Sequence, residues 1–323
     1  MSRILTGEKL IASVRKRGMF PEDTDTFDDQ DILDIANEEM DVSLLDKLTS
    51  LHEEHLTVHV DIPKNSTGHY DIPVRAVGNK IRDVSLIIGQ TVYELTQIGI
   101  GELSDYSTFD DGGYNLDKFY IQNNQIKLIS NGRAYESVRI YYHLRPNVLV
   151  KEADTGKVQN VNQNGNIVTL TLSNVPKRFT EIIFPSIKFD VVAYETPNKI
   201  KYQNLSATFD LTTRTATITL NSTDTLDIRV GDWLCKAEES PVPNIPTEMH
   251  PLLAQLTAVH MLEATGDSEA LKNAEARLQK MMTSVTELID DRVDLAPRKI
   301  RPRHGVLSDS IAGNGNYRRR RGR

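Results

Sequence analysis

From about residue 61 to residue 240 apolar residues recur at a period of two, whereas the flanks on either side read near 3.6. This switch constrains the chain more than any other feature. "SVRIYYHLRP" puts Val138, Ile140, Tyr142 and Leu144 on one side of a strand and stops at Pro146. "KFYIQNNQIKLI" predicts a hairpin around Asn123-Asn124, residues that tolerate the positive φ of a tight turn. Beyond Asn147 short β-rich runs recur between turn signals: "GNIVTLTLSN", "SIKFDVVAYETP", "KIKYQNLSATFD", "RTATITLN" and "DIRVGDWLCKA". Their spacing predicts an antiparallel sandwich or barrel. "NKIRDVSLIIGQTVYELTQIG" fits helix and strand alike.

The flanks behave differently. "TGEKLIASVRKRG" places Leu10, Ile11 and Val14 on one helical face, with Gly18 as a stop. "DDQDILDIANEEM" spaces Ile32, Ile35, Ala36 and Met40 helically, with acids in its first turn that suit the helix dipole. "DVSLLDKLTSLHEEHL" stripes Leu44, Leu45, Leu48 and Leu51. After "SPVPNIP", which reads as a proline-rich hinge at 240–246, helices return. One runs to Gly266, and one from Asp267 or Ser268 carries Leu271, Ala274, Leu278, Met281, Val285 and Leu288 at spacings of three and four. Such a stripe fits an αα-hairpin within the chain or a seam between subunits. The expected fold class is therefore α+β: a helical core at 1–60 and 241–296, a large inserted antiparallel β domain at 61–240, and an extended basic tail at 297–323.

Charge divides the chain along the same lines. The 323 residues sum to a formal −7. From Pro297 onward nine Lys/Arg stand against Asp309, a local +8 that leaves −15 on residues 1–296. The tail carries Arg298, Lys299, Arg301, Arg303, Arg318, Arg319, Arg320, Arg321 and Arg323, and should seek an acidic surface or nucleic acid, which the body should repel. Glu22 to Asp41 holds ten acids and no base. It predicts a solvated helix face or a contact with a basic neighbour. Asp28, Asp29, Asp31, Glu38 and Glu39 against Arg15, Lys16 and Arg17 are the candidates for such a contact between copies.

No chemistry stands out. Cys235 is the single cysteine, which excludes intrachain disulfides and reads as a buried thiol. "HEEHLTVH" falls one residue short of H-E-x-x-H, so His52, His55 and His59 read as surface histidines at a helix-to-strand junction. Phosphate-loop, dinucleotide and nucleophile-elbow motifs are absent from the sequence. No apolar run approaches ~18 residues, and the first twenty residues lack a signal-peptide pattern. Neither catalytic residue, metal nor cofactor is expected.

The segment "SVRIYYHLRPNVLV", a β region ending "VGDWLCKAEESPVPNIPTEMHPLLAQL", and the helices "AVHMLEATGDSEALKNAEARLQKM" and "LIDDRVDLAPRKI" together resemble the head-to-tail adaptor (neck or connector) proteins of tailed bacteriophages. "FDDQDILDIANEEM" before a leucine-rich helix fits that family's opening helices. The resemblance implies a structural virion protein without enzymatic activity. It implies a ring, a dodecamer, joining the portal protein to a tail or nozzle protein around packaged double-stranded DNA, without a membrane. Assembly would be in the host cytoplasm, and the final location the virion neck. The basic tail would dock on the portal or touch the DNA. Rival expectations are a virion-associated glycan hydrolase with a β domain, and a cellular nucleic-acid-binding protein using the arginine tail.

Overall fold

The computed structural model describes residues 5–20, 27–51, 53–103, 118–129, 134–176, 179, 187–195, 199–220 and 226–289. Helix α1 (Gly7–Gly18) buries Leu10, Ile11 and Val14 and stops where Met19 turns left-handed at φ 55°. Helix α2 (Asp29–Glu39) opens on a capping box. The Asp28 carboxylate accepts the Asp31 N–H, and the Asp31 carboxylate accepts the Asp28 N–H, which satisfies two otherwise orphaned donors. A π turn, Met40–Leu44, carries α2 straight into α3 (Leu45–Leu51). Met40, Leu44, Leu45 and Leu48 stay on the buried side through that wider turn.

Helix α4 (His250–Thr265) has no polar stripe. Leu252, Leu253, Ala258 and Met261 are buried around its whole circumference. An all-round apolar helix needs neighbours on every side, and α1, α2 and α5 (Ser268–Ile289) supply them. Asp267 caps α5 through the Ala270 N–H at 3.0 Å. The α4–α5 hairpin predicted from the heptad-like stripe is present: Leu278 and Met281 pack on the helical core and Val285 is buried, while Leu288 stays 72% exposed. Residues from both ends of the sequence thus share one apolar cluster.

The β-rich stretch has two cores rather than one. Strands β1 (Thr57–Pro63), β2 (His69–Asp71), β3 (Ala76–Ile88), β4 (Thr91–Glu94), β5 (Thr96–Gln97), β6 (Lys118–Gln122), β7 (Gln125–Ile129) and β8 (Ser137–Leu144) form two four-stranded sheets, ordered β1-β8-β3-β4 and β2-β7-β6-β5. Val84, Leu86, Phe119, Ile126, Val138 and Ile140 make their common core. The β6–β7 hairpin turns through Asn123 and Asn124 at φ 53° and 60°, as its sequence predicts. The ambiguous segment is the long β3–β4 hairpin.

Strands β9 (Val148–Leu149), β10 (Gly156–Asn164), β11 (Ile167–Leu172), β12 (Lys188–Val192), β13 (Ile200–Asp210), β14 (Thr215–Thr219), β15 (Trp233–Lys236) and β16 (Glu239–Ser240) follow. Six of them close a barrel in the order β10-β11-β14-β13-β12-β15. Phe179, Phe189 and Phe209 meet inside it with centroids 4.8–5.3 Å apart, in edge-on or tilted pairs that favour aromatic contact. Among the described residues pairing is antiparallel except at β5–β6 and β9–β16.

Between sandwich and barrel the chain returns to the helices. Leu149 is 1% exposed within their cluster, and Asn37 of α2 holds both its N–H (2.7 Å) and its carbonyl (3.2 Å). β16 lies parallel to β9, with Val150 N–H donating to the Ser240 carbonyl and Gly7 N–H to that of Pro241. The run 240–246 is consequently no hinge. Every residue from Pro241 to Pro246 is buried, because the prolines pack and the remaining polar groups find partners. The Ser240 hydroxyl bonds to Val242, Asn244 accepts from Asn147 N–H, and the His250 ring bonds to the Ile245 carbonyl.

Candidate functional site

Most of the charged residues that the sequence marks for contacts between copies are engaged within the chain. Arg15, on the buried side of α1, reaches the Asp29 carboxylate at 3.0 Å and the Phe27 carbonyl. Asp29 also takes Lys151 at 3.1 Å, and the two cations hold its carboxyl below the usual range. Asp28 and Asp31 cap α2. Glu39 accepts from Ser43 and meets His260 Nδ1 at 3.0 Å. Lys16 and Glu38 are exposed. The nine basic tail residues lie outside the described residues, as do His52 and the acidic pair Asp110-Asp111.

Two surfaces remain. The first is a groove of about 640 Å³ between the end of α1, one side of α4 and the first half of α5. Gln255 and Leu262 line it from α4, and Arg17, Phe20 and Met19 from the α1 end. Arg17 donates to Gln255 Oε1 at 2.8 Å and Ser13 Oγ at 3.2 Å. Burial and then the neighbouring charge of Arg277 lower its hold on a proton. Among the described residues no carboxylate reaches ion-pair distance of Arg17 or Arg277. Met19, at the groove's edge, is 92% exposed.

The second surface is the outer face of α2 and of the π turn that continues it. Asp31, Asp34, Glu38 and Asp41 recur at i, i+3, i+7 and i+10, all open to solvent, and Val42 beside them is 69% exposed. Asp41 also stands at the mouth of a 170 Å³ cleft where α2 meets the two β bodies. Surrounding protein pushes its carboxyl up, and Arg145 pulls it partly back.

Behind that cleft lies an ionic tie. Arg75, from the β2–β3 connection, meets Asp190 of barrel strand β12 at 2.9 Å, with side chains 7% and 0% exposed. Asn147 bonds to both Arg75 and Asp190. Asp190 also accepts the backbone N–H of Asn204 and Glu238. Sandwich, barrel and the β9–β16 crossing are joined there through one carboxylate.

Arg277, Asp34, Arg75 and Asp190 are not marked by the sequence. Arg277 sits on what reads as a solvated face of α5, and the Arg75–Asp190 partners are 115 positions apart. Among the described residues no three His, Cys, Asp or Glu side chains converge as a metal site, and no helix is long and apolar enough to cross a membrane. His55 lies in a short turn of 3-10 helix and His59 in β1, its ring 5.5 Å from that of Tyr141 and tilted to it by 52°. No protein-family model and no curated protein matches this chain.

Proposed function

We propose that this chain is a structural virion protein, a head-to-tail adaptor whose copies form a ring between the portal and the tail and continue the DNA channel. One observation carries the reading. Helices from the two ends of the sequence, α1–α3 and α4–α5, share a single apolar cluster, and the β bodies are inserted between them. That is the layout implied by the resemblance to phage adaptors. The work is done by surfaces: portal on one side, tail or nozzle protein on the other, and neighbouring copies laterally.

Charge supports the same reading. A wall built from residues 1–296, with formal charge −15, repels the phosphates of packaged DNA on balance and so favours sliding over sticking. The basic tail, leaving after α5, binds acidic clefts of the portal through its arginine forks. The full chain mixed with its portal should give a ring under electron microscopy, twelvefold by the resemblance. Removal of residues 297–323 should leave the far-ultraviolet circular dichroism of the helices intact and abolish attachment. A stable dimer that ignores the portal, or portal binding unaffected by the deletion, would refute the respective part.

A further inference from the structure

We propose that the groove between α1, α4 and α5 receives the acidic outer face of α2 from a second copy of this chain, with Arg17 and Arg277 as its carboxylate-binding groups. The proposal rests on the lateral assembly put forward above, and it names the contact.

The groove holds more positive charge at one end than it uses. Arg17 spends its described hydrogen bonds on neutral acceptors, Ser13, Gln255 and the Met281 sulfur. A guanidinium has five donors in a planar fork suited to a carboxylate. Arg277 shares the groove, so each cation raises the cost of keeping the other there. An entering carboxylate relieves both at once. The groove's own acids do not do this. The Asp267 carboxylate is committed to capping α5, and Glu269 precedes Arg277 by eight residues, about 12 Å of helix.

The α2 face has the complementary problem. Among the described residues Asp34 accepts only from Gln30, in its own helix, and Glu38, one turn further, is exposed. These two carboxylates stand four residues apart, about 6 Å along the axis, a spacing that two guanidiniums can serve together. Apolar surface is matched as well: Met19 edges the groove, and Val42 edges the acidic face. α2 and α5 both pack on α4, so donor and acceptor surfaces belong to different flanks of one helical body. A patch that meets a different patch on the next copy propagates head to tail, and closes a ring when the rotation permits. A self-complementary dimer would need one patch to meet itself.

Self-association of the full chain is the test, followed by native mass spectrometry and sedimentation over a concentration series, with and without portal. Arg277→Glu alone, or Asp34→Arg with Glu38→Arg, should weaken association about tenfold or more, the equivalent of ~1.4 kcal/mol. All three substitutions are on exposed positions and should leave the circular dichroism unchanged. Combining them in one chain restores opposite charges across the contact and should recover most of the loss. Association indifferent to the single reversals, or unrecovered in the combination, overturns the proposal. So does a wild-type chain that stays monomeric both alone and on the portal. If the acids between residues 21 and 26 of the same chain fill the groove instead, Arg277→Glu will lower the melting temperature of dilute monomer, and no change on α2 will compensate. A chain that self-associates through the groove but ignores the portal removes the adaptor reading and leaves the groove standing. Portal binding with reversal-insensitive rings does the opposite.

Discussion

Replacing Asp190 with asparagine should be among the most damaging single substitutions in the chain. The amide keeps the size of the side chain and one acceptor, enough for the Asn204 N–H at 3.0 Å. It loses the second oxygen, which takes Arg75, Asn147 and the Glu238 N–H at 2.9, 3.1 and 3.1 Å. Arg75, only 8% exposed, is left without its counter-ion. Breaking one side of a buried pair costs ~3–5 kcal/mol, chiefly from the stranded charge. Arg75→Met in the same chain removes that charge, so the double variant should lose only ~1–3 kcal/mol, the cost of the unsatisfied polar groups that remain. Trp233 is the chain's single tryptophan and is buried in β15, the strand paired with β12, so its fluorescence reports this region during guanidinium unfolding. The expected coupling between the two positions is ~2 kcal/mol or more, within the range seen for contacting residues. Losses that simply add, or an Asp190→Asn loss under ~1 kcal/mol, would refute the reasoning.

Three further outcomes are expected. His250 is buried, with Nδ1 facing the Leu5 N–H at 3.3 Å and Nε2 facing the Ile245 carbonyl at 3.2 Å, and burial holds its pKa below the usual value. Its contribution is therefore complete above the unfolded value of ~6.5 and is lost as pH falls below it, so His250→Gln should flatten that limb of a stability–pH titration. Gly7→Ala should destabilise by ~1–3 kcal/mol in chemical denaturation, since the added methyl would lie 2.5 Å from the Val150 carbonyl oxygen, a backbone atom that cannot swing away. At the β6–β7 turn Asn123→Val should lose ~1–2 kcal/mol through its positive φ, whereas Asn123→Gly should not, measured by thermal melting.

Where one face of an element is buried and the other wet, the sequence reveals the element directly. β8 alternates because Val138, Ile140, Tyr142 and Leu144 face one core and Arg139 and Tyr141 do not. α1 and α2 are legible for the same reason. Legibility fails where burial is two-sided or the partner is distant. Leu149 looks like a residue in a loop after Pro146, and nothing local says that it plugs the helical core and separates a sandwich from a barrel. Proline-rich composition suggests a hinge at 240–246, but that stretch is buried and locked by contacts from residues 7, 147 and 150. The candidate groove is hidden in a similar way. Arg17 belongs to a visible basic cluster, but Arg277 joins it only through the packing of α5 against α4 and α1.

The order in which this helical body can be completed follows from the position of α4. α1, α2 and α3 are made before α4 and α5, and Leu10, Leu33, Leu44 and Leu48 belong to an apolar cluster that residues from beyond His250 complete. Roughly 200 residues of sandwich and barrel intervene, some ~10–40 s of synthesis at ~5–20 residues per second. During that interval the sandwich and the barrel strands can pair locally, while the first three helices wait with their apolar faces uncovered. Translation itself thus delays closure: the core seals only once α4 and α5 have been made, and a nascent chain stalled before residue 250 would present sticky helices tethered to finished β bodies.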